Sequence, residues 1–342
     1  MNYKRTGPTI YDIAELAGVS PATVSRVLNN ASYPVSEQAR QKVVAAADQL
    51  RYNFKNKGLS SQRDVVVMLP NLSNPCYTDL LAGVESSLRM FGLNTLLMNT
   101  KGSIALEQEL VQELRSRNSL RLILSPVSDD LHHLQPLIES GIPMIMLEQP
   151  YVRGVSTICD NYLKCGAIAT EYLLQRNLRR IAFLGAPLKR HTRSQHFDGY
   201  RTSLKKFGLP IDPSYVFLAE EEPSARDDIS PFHMGFQLAQ RMLDACNPLP
   251  DGIVCGNDMT ALGALHCLHQ HGIRVPTDIS IIGCDNIYSA AISYPPLTTI
   301  DQSAYETGCM AAEMLYGLMR DPSRQHVNNV LEPKLIVRGS VI

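Results

Sequence analysis

Residues 9–28 read TIYDIAELAGVSPATVSRVL, a pattern typical of two short helices joined by a tight turn. Thr9 is suited to cap the first helix, and an acidic residue three positions later can return a hydrogen bond to its backbone. Gly18 is expected to end that helix, because glycine adopts the left-handed conformation at little cost. The pair Ser20-Pro21 then supplies a cap and a first helical position that needs no backbone N–H.

The second helix is predicted to have one apolar side and one outward-facing side. Ala22, Arg26 and Asn29 fall at i, i+4 and i+7, so they share the outer face. A third amphipathic helix is expected from about Ser36. Three helices with a three-residue turn between the first two are typical of helix-turn-helix domains, whose second helix enters the DNA major groove. The alternative is an ordinary three-helix bundle, but the outward-facing arginine favours DNA binding.

Charge is distributed unevenly along the 342 residues, whose formal net charge is only −1. Residues 1–62 contain eight Lys/Arg and four Asp/Glu, a formal charge of +4, so the other residues carry −5. A basic module attached to an acidic remainder is consistent with local contact to phosphates and little unspecific adhesion.

The sequence also indicates where in the cell the protein is located and whether it needs a cofactor. No apolar segment follows the charged N-terminus as in a signal peptide, and no stretch approaches the roughly 18–20 apolar residues of a membrane span. The eight cysteines include no C-x-x-C pair. We therefore expect a cytoplasmic protein with reduced cysteines and no cofactor.

From Val65 onward, short β-branched strands alternate with helical patterns, which predicts parallel sheets covered on both faces. The expected strands are Val65–Leu69, Leu93–Met98, Leu120–Ser125, Met144–Glu148, Ser156–Cys159, Arg180–Gly185, Tyr215–Leu218, Asp251–Cys255 and Ile279–Cys284. The expected helices are Tyr77–Phe91, Leu106–Ser116, Cys165–Gln175, Phe197–Phe207, Met234–Cys246 and Met259–His271. Two such sets indicate two similar lobes, with a ligand between the carboxyl ends of their strands.

Residues 9–52, including SRVL at 25–28, resemble the DNA-binding domain of the lactose-repressor and galactose-repressor (LacI/GalR) family of bacterial transcription regulators. In that family the residues matching Pro21 and Ala22 help to set operator preference, and the residue matching Arg26 contacts a base. Arginine can bind guanine through two hydrogen bonds, whereas alanine offers only apolar contact to a thymine methyl group. The remaining polar side chains are expected to position the domain on phosphates. The predicted DNA contacts are Thr9, Ser20, Pro21, Ala22, Thr23, Ser25, Arg26, Asn29, Tyr52 and Leu59.

The connector at residues 54–64 is polar and basic. The family has a hinge here that folds into a helix on DNA and inserts a leucine into the minor groove, which kinks the duplex. Leu59 is the one leucine in this segment that could act as the wedge. The segment is a few residues short, and Phe54-Lys55 stands where the family usually has Pro-Asn. The alternative is a disordered tether with Leu59 packed on the rest of the protein.

The resemblance continues through the rest of the chain, with GNDMTALG at 256–263, GIRVPTDIS at 272–280, PPLTTI at 295–300 and VRGS at 337–340. It implies a multidomain fold: an all-α helix-turn-helix headpiece followed by an α/β periplasmic-binding-protein-like domain of two doubly wound parallel-sheet lobes. The expected boundaries are residues 1–53 for the headpiece, 54–64 for the hinge and 65–342 for the body, which binds the effector and dimerises. Within the body, the first lobe is expected at 65–159 plus 298–320, and the second at 160–297 plus 321–342.

Positions matching the family's effector contacts lie at predicted strand ends. They are Leu72, Asn74, Tyr77, Glu148, Arg193, His196, Asn257 and Asp285. Converging carboxylates and amides suit sugar hydroxyls, which need paired donors and acceptors. Glu148 stands where an Asp is common, and His196 stands where the family usually has an arginine that grips the effector. The second change removes a fixed bidentate donor.

Structural alternatives exist for several of these residues. Asn257, Asp258 and Asp285 could instead cap the helix or turn that follows each of them. Tyr77 and Phe232 could pack in the core rather than stack on a ligand.

We therefore expect a homodimeric repressor that binds operator DNA under the control of a sugar or related metabolite. The alternative is a solute-binding module whose headpiece does not bind DNA. An enzyme is not favoured, because no nucleophile–base pair, phosphate-binding loop or dinucleotide motif is present. The run from His266 to His271 does not predict zinc, because its potential ligands point in different directions on one helix.

Overall fold

The computed structural model describes residues 8–28, 35–50, 63–115, 120–220 and 230–342. By its internal contacts the chain divides into two compact units, Met1–Gln62 and Arg63–Ile342. The first unit includes the headpiece and the second includes the body. The division falls inside the segment that the sequence marks as a connector.

Three helices form the headpiece: α1 (Ile10–Ala17), α2 (Pro21–Leu28) and α3 (Glu37–Gln49). Thr9 caps α1 in a capping box, and Gly18 ends α1 with a φ of 65°. The Ser20 hydroxyl oxygen accepts a hydrogen bond from the Thr23 backbone N–H at 3.1 Å. Val19, in the turn, packs against the small core. The predicted helix-turn-helix is therefore confirmed, and its buried core is Ile13, Ala14, Ala17, Val24, Val27, Val43, Ala46 and Ala47.

The first lobe is a six-stranded parallel sheet with helices on both faces. Its elements are β1 (Asp64–Leu69), α4 (Pro75–Met90), β2 (Asn94–Asn99), α5 (Ile104–Arg115), β3 (Leu122–Leu124), α6 (Gln135–Glu139), β4 (Met144–Leu147), β5 (Ser156–Asp160), α12 (Ala304–Arg320) and β11 (Asn328–Leu331). The strand order is β11-β5-β4-β3-β1-β2. Because strand side chains alternate between faces, Val65 and Val67 pack under α4 and α12, whereas Val66 and Met68 pack under α5 and α6.

The second lobe repeats this plan. Its elements are α7 (Tyr162–Leu174), β6 (Ile181–Gly185), α8 (His191–Lys206), β7 (Val216–Leu218), α9 (Pro231–Ala245), β8 (Gly252–Cys255), α10 (Asp258–Gln270), β9 (Ser280–Asp285), α11 (Tyr288–Ile292), β10 (Thr298–Asp301) and β12 (Lys334–Ile336). The strand order is β12-β10-β9-β8-β6-β7, and only the pairing of β12 with β10 is antiparallel among the described strands. Helices α9 and α10 cover one face, and α7 and α8 cover the other.

The chain crosses between the lobes three times, after β5, after β10 and after β11. The expected lobe boundaries at 298 and 321 are therefore wrong by one strand each. Thr298 of β10 pairs in parallel with Ile282 of the second sheet, and Asn328 of β11 pairs with Thr157 of the first sheet. Both are four-residue strands without a continuous apolar run, so hydrophobic patterning did not mark them.

All nine expected strands are present, with bounds within two residues of the expected ones. The helices begin earlier than expected. Helix α4 begins at Pro75 after its cap Asn74, and α8 begins at His191, six residues before the expected start at Phe197. The reason is physical: hydrophobic periodicity marks the part of a helix that packs on the sheet, whereas these first turns carry polar side chains that line a cavity.

Candidate functional site

A cavity of about 490 Å³ lies between the two lobes, at the carboxyl ends of strands from both sheets. We call it the cleft. Leu72 does not line it but packs against the core of the first lobe. The other seven side chains predicted to contact an effector do line it: Asn74, Tyr77, Glu148, Arg193, His196, Asn257 and Asp285.

Glu148 is the centre of a hydrogen-bond network at the end of β4, where its φ is 57°. Its carboxylate accepts hydrogen bonds from the Tyr77 hydroxyl at 3.0 Å, the Ser125 hydroxyl at 2.5 Å and the Arg190 guanidinium at 3.0 Å. Burial alone would raise the pKa of Glu148, but the charge of Arg190 and these hydrogen bonds hold that pKa below its ordinary value. Glu148 is therefore an ionised carboxylate that the protein itself already satisfies.

Three polar contacts join the lobes around the cleft. Arg190, just before α8 in the second lobe, pairs with Glu148 of the first lobe. The next residue, His191, bonds through Nδ1 to a carboxylate oxygen of Asp129 at 2.9 Å. On the other side, the Asn74 amide donates to Asp285 at 3.0 Å. The cleft walls are thus connected by hydrogen bonds between residues far apart in sequence.

At the second-lobe wall, Asn257 shows the capping role given as its alternative, whereas Asp258 bonds to distant residues instead. The Asn257 side-chain oxygen caps α10 by accepting from the Thr260 N–H at 2.8 Å, although Asn257 also lines the cleft. Asp258 is fully buried behind it and accepts from the Thr299 hydroxyl at 2.5 Å and the Ile287 N–H at 3.0 Å. Burial raises the pKa of Asp258 to about 6 despite these bonds. Asp258 therefore holds strand ends together rather than facing a ligand.

The two aromatic candidates behave differently from each other. Tyr77 packs against the first-lobe core and directs its hydroxyl to Glu148 in the cleft wall. Phe232, near the start of α9, is half-buried, does not line the cleft, and has its ring 6.0 Å from that of the exposed His266. Phe232 belongs to none of the buried clusters of the described residues, whereas Tyr77 combines packing with a place in the cleft.

His196 lies in the second-lobe wall with only 4% of its surface exposed. Its ring meets that of Phe183 edge-on, at a centroid distance of 5.8 Å and an interplanar angle of 85°. Burial lowers the pKa of His196 to about 4, and a hydrogen bond to the backbone of Gly256 opposes this only in part. The ring is therefore neutral near pH 7.

The predicted recognition helix α2 presents the expected surface. Ala22 and Arg26 are exposed on it, whereas Ser25 is half-buried. Ser20 and Thr23, at its start, share a hydroxyl–hydroxyl hydrogen bond of 2.9 Å. Three predicted DNA contacts lie outside the described residues: Asn29, Tyr52 and Leu59.

Comparisons with known proteins decide the family. The family described as "Bacterial regulatory proteins, lacI family" matches residues 9–53, and "Periplasmic binding protein-like domain" matches residues 170–341. The ribose operon repressor of Escherichia coli (strain K12) is 33% identical and aligns over 97% of this chain and 99% of its own length. The transcriptional regulator RegA of Clostridium saccharobutylicum is 31% identical over 98% of this chain and 99% of its own length. The chain belongs to the LacI family.

Solved structures agree with LacI-family membership. The transcriptional regulator CelR, in complex with cellobiose, superposes with a TM-score of 0.70 at 27% identity, over 97% of this chain and 99% of CelR. The chain is therefore a DNA-binding regulator of transcription and not an enzyme. The predicted fold, a headpiece followed by a periplasmic-binding-protein-like body, is confirmed.

Sequence reasoning missed some cleft residues of this LacI-family chain. Arg190 was overlooked because the expected start of α8 lay beyond it, although a basic residue six positions before His196 was a usable signal. Tyr162 and Gln302 also line the cleft, and each lies where the chain crosses between lobes. Such positions depend on the three-dimensional crossing and not on a local pattern.

In the ranges that the structure describes, no group of three or more His, Cys, Asp or Glu is arranged to hold a metal ion. In the His266–His271 run, the His271 ring contacts the Cys267 carbonyl oxygen at 2.9 Å, within its own helix. No helix in those ranges has the length and hydropathy to span a bilayer.

Proposed function

We propose that this chain is a homodimeric repressor whose affinity for a pseudo-palindromic operator is controlled by a sugar or related metabolite bound in the cleft. The observation that carries the proposal is a cavity between two lobes, lined by both polar and apolar side chains, in the same chain as an exposed helix-turn-helix surface. Two similar proteins bear on the ligand class: one represses a ribose operon, and CelR binds cellobiose. We place this function in the cytoplasm, where bacterial DNA is accessible.

On DNA, α2 lies in the major groove and Arg26 binds a guanine through two hydrogen bonds. Ala22 and Pro21 open the helix and contribute apolar contacts. Thr9, Ser20, Thr23, Ser25 and Asn29 orient the headpiece on phosphates, with Tyr52 and Leu59 serving the hinge. The positive charge of residues 1–62 supplies salt-dependent attraction to any duplex.

In the cleft, a ligand with several hydroxyl groups fits the polar lining. Asn74, Asn257, Arg193 and Asp285 offer donors and acceptors around a volume suited to a small metabolite. Glu148 and Tyr77 form a wall that is already hydrogen-bonded. The three contacts between the lobes lie around the cleft. A ligand in the cleft therefore changes the free-energy difference between arrangements in which the lobes are closer together and farther apart.

Dimerisation is supported by large apolar side chains on the body surface. Tyr288 and Tyr294, near α11, are 76% and 94% exposed, and Met90 at the end of α4 is 74% exposed. A contiguous group of exposed apolar side chains marks an interaction surface, whereas a single one is ordinary, so Tyr288 and Tyr294 beside α11 are the better candidates. A symmetric dimer places two recognition helices about one helical turn apart, roughly 34–36 Å, which matches a palindromic operator.

Sedimentation of Tyr294→Asp should show a shift toward monomer.

The DNA-binding part of the proposal is tested by selection from a randomised duplex library, followed by mobility shift on the enriched sequence. We expect a palindromic sequence and, for Arg26→Ala, a loss of about tenfold to a hundredfold on it, from the one to three kcal/mol of a bidentate base contact. Binding to random duplex should change much less. Arg201→Ala, an exposed arginine of the body, is the charge-matched control.

Equal loss by Arg26→Ala on selected and random DNA would contradict base reading. A wild-type chain that enriches no sequence at any salt concentration would favour a solute-binding module instead.

A further inference from the structure

Helix α8 of the second lobe is not capped by the residue before it, unlike several other helices of this chain. In α1, α4, α7, α9 and α10 the preceding side chain accepts a backbone N–H of the first turn; these side chains belong to Thr9, Asn74, Asn161, Ser230 and Asn257. Before α8 the same place is taken by Arg190, whose guanidinium has only donors and cannot act as a cap. The first N–H groups of a helix have no acceptor within the helix. For α8, an acceptor must therefore come from elsewhere in the protein.

Asp129 of the first lobe supplies this acceptor. One oxygen of its carboxylate accepts the backbone N–H of His191, the first residue of α8, at 2.5 Å, and the other bonds to the His191 ring at 2.9 Å. The Gln149 amide donates a longer hydrogen bond, of 3.4 Å, to the same carboxylate. Burial alone would raise the pKa of Asp129, but the hydrogen bonds from His191 hold that pKa below its ordinary value. An ionised carboxylate thus lies at the positive end of the helix dipole, where negative charge is favourable.

The loop that carries Asp129 is held by one buried side chain of α5. Glu107 is fully buried, and one of its carboxyl oxygens accepts the Val127 N–H at 2.9 Å. Its other oxygen contacts ring nitrogen Nε2 of His133 at 2.6 Å. Val127 and His133 lie on either side of Asp129 in the sequence. Glu107 therefore fixes the loop both before and after the residue that reaches the other lobe.

We infer that Asp129 is the N-terminal cap of α8, supplied by the opposite lobe, and that Glu107 is the positioning residue that holds Asp129 in place. The first turn of α8 is then capped only while the two lobes are together. Thr192 and Arg193 in this turn line the cleft, so separation of the lobes also loosens part of the cleft wall. The inference goes beyond the proposed function, because it concerns the chain without ligand or DNA.

The first test removes the cap. Amide hydrogen exchange of residues 191–194 is measured by nuclear magnetic resonance on the full-length chain without ligand. Asp129→Ala should accelerate this exchange about fivefold, which is the typical effect of a lost N-terminal cap. Asp129→Asn keeps a side-chain oxygen that can accept the same N–H, so its exchange should stay close to that of the wild type.

Ser230→Ala, which removes the local cap of α9 in the same lobe, is the matched control. It should accelerate exchange in the first turn of α9 and leave residues 191–194 unchanged. Unchanged exchange of residues 191–194 in Asp129→Ala would overturn the inference. Acceleration by Asp129→Asn as large as that by Asp129→Ala would also overturn it, because the effect would then follow the charge and not the acceptor.

The second test concerns Glu107, whose two hydrogen bonds are to the loop. Glu107→Leu removes both bonds and should accelerate exchange of residues 191–194 by about as much as Asp129→Ala. Glu107→Gln keeps an acceptor for the Val127 N–H, so its effect should lie between those of the wild type and Glu107→Leu. Glu109→Leu, at an exposed position of the same helix, is the control and should leave residues 191–194 unchanged.

The position of the accelerated amides decides the role of Glu107. Acceleration confined to residues 126–134 in Glu107→Leu and Glu107→Gln would show that Glu107 holds only its own loop, and it would overturn the positioning role. Exchange in β1 and β6 that is as slow as in the wild type establishes that the variants fold.

Discussion

The headpiece and the cleft place their functional side chains in opposite ways. In the headpiece, Thr9 and Ser20 bond to partners three positions away on an exposed surface. In the cleft, Asn74 bonds to Asp285 across 211 positions, and Tyr77 bonds to Glu148 across 71. A substitution in the headpiece should therefore act locally, within one helix or its cap. A change in the cleft alters lobe closure, stability and ligand binding together.

The largest effect is expected at the buried ion pair that joins the lobes. Arg190→Met leaves the Glu148 carboxylate without its cation, so we expect the free energy of unfolding of the body to fall by about 3 kcal/mol. Arg201→Met, which removes an exposed arginine of α8, the helix that follows Arg190, should change the free energy of unfolding by less than about 0.5 kcal/mol. Urea unfolding followed by circular dichroism measures both.

The double variant Arg190→Met/Glu148→Gln sharpens this test, because no unpaired charge remains in the wall. It should recover part of the loss. An Arg190→Met variant as stable as the wild type would contradict this contrast between cleft and headpiece. It would mean that a long-range contact in the cleft can be removed without loss of stability.

A second effect concerns Asp160, at the first crossing between lobes. Burial, with the charges of Glu148 and Asp301 adding to it, raises the pKa of Asp160 from 3.8 to about 8. The folded state thus holds this proton more tightly than the unfolded state. The protonated Asp160 thus contributes to the free energy of unfolding. This contribution is complete below about pH 4 and is lost as the pH rises toward about 8.

Asp160→Asn removes this titration, so the stability of the variant relative to the wild type should grow between about pH 4 and pH 8. One pKa unit corresponds to about 1.4 kcal/mol, and we expect at least that gain. Asp198→Asn, at an exposed acid of α8, should keep a constant difference across the same range. If the difference in free energy of unfolding between Asp160→Asn and the wild type stayed constant over this range, Asp160 would not hold a proton in the folded protein.

The smallest effect is expected in the headpiece. Thr9→Ala removes the cap of α1 and should lower headpiece stability by about 1 kcal/mol. Hydrogen exchange should accelerate in α1–α3 and stay unchanged in the sheets of the body. Equal acceleration of exchange in the headpiece and the body would contradict a local effect, because it would show that the stabilities of the two units are linked.

The same contrast explains what the sequence could predict. Thr9, Gly18 and Ser20 act within a few residues of themselves, so the headpiece could be derived almost completely from local chemistry. The nine expected strands could be derived too, and continuous burial, as in β1, β4 and β6, leaves a continuous apolar run. Strands β10 and β11 could not, since their sheet assignment depends on where the chain crosses between lobes.

The cleft could be predicted only in part. Seven positions followed from strand ends and family resemblance, but Leu72 turned out to pack in the core of the first lobe. Arg190 was missed because the expected start of α8 lay beyond it, and its pairing with Glu148, 42 positions away, exists only in the folded chain.

If occupancy of the cleft sets affinity for DNA, the two binding equilibria must be coupled, and a paired measurement shows whether they are. The dissociation constant for the selected operator is measured with and without a saturating cleft ligand, and that of the ligand with and without operator. Both dissociation constants should change by the same factor, about fivefold or more. A ligand that binds in the cleft while operator affinity stays the same would contradict this coupling.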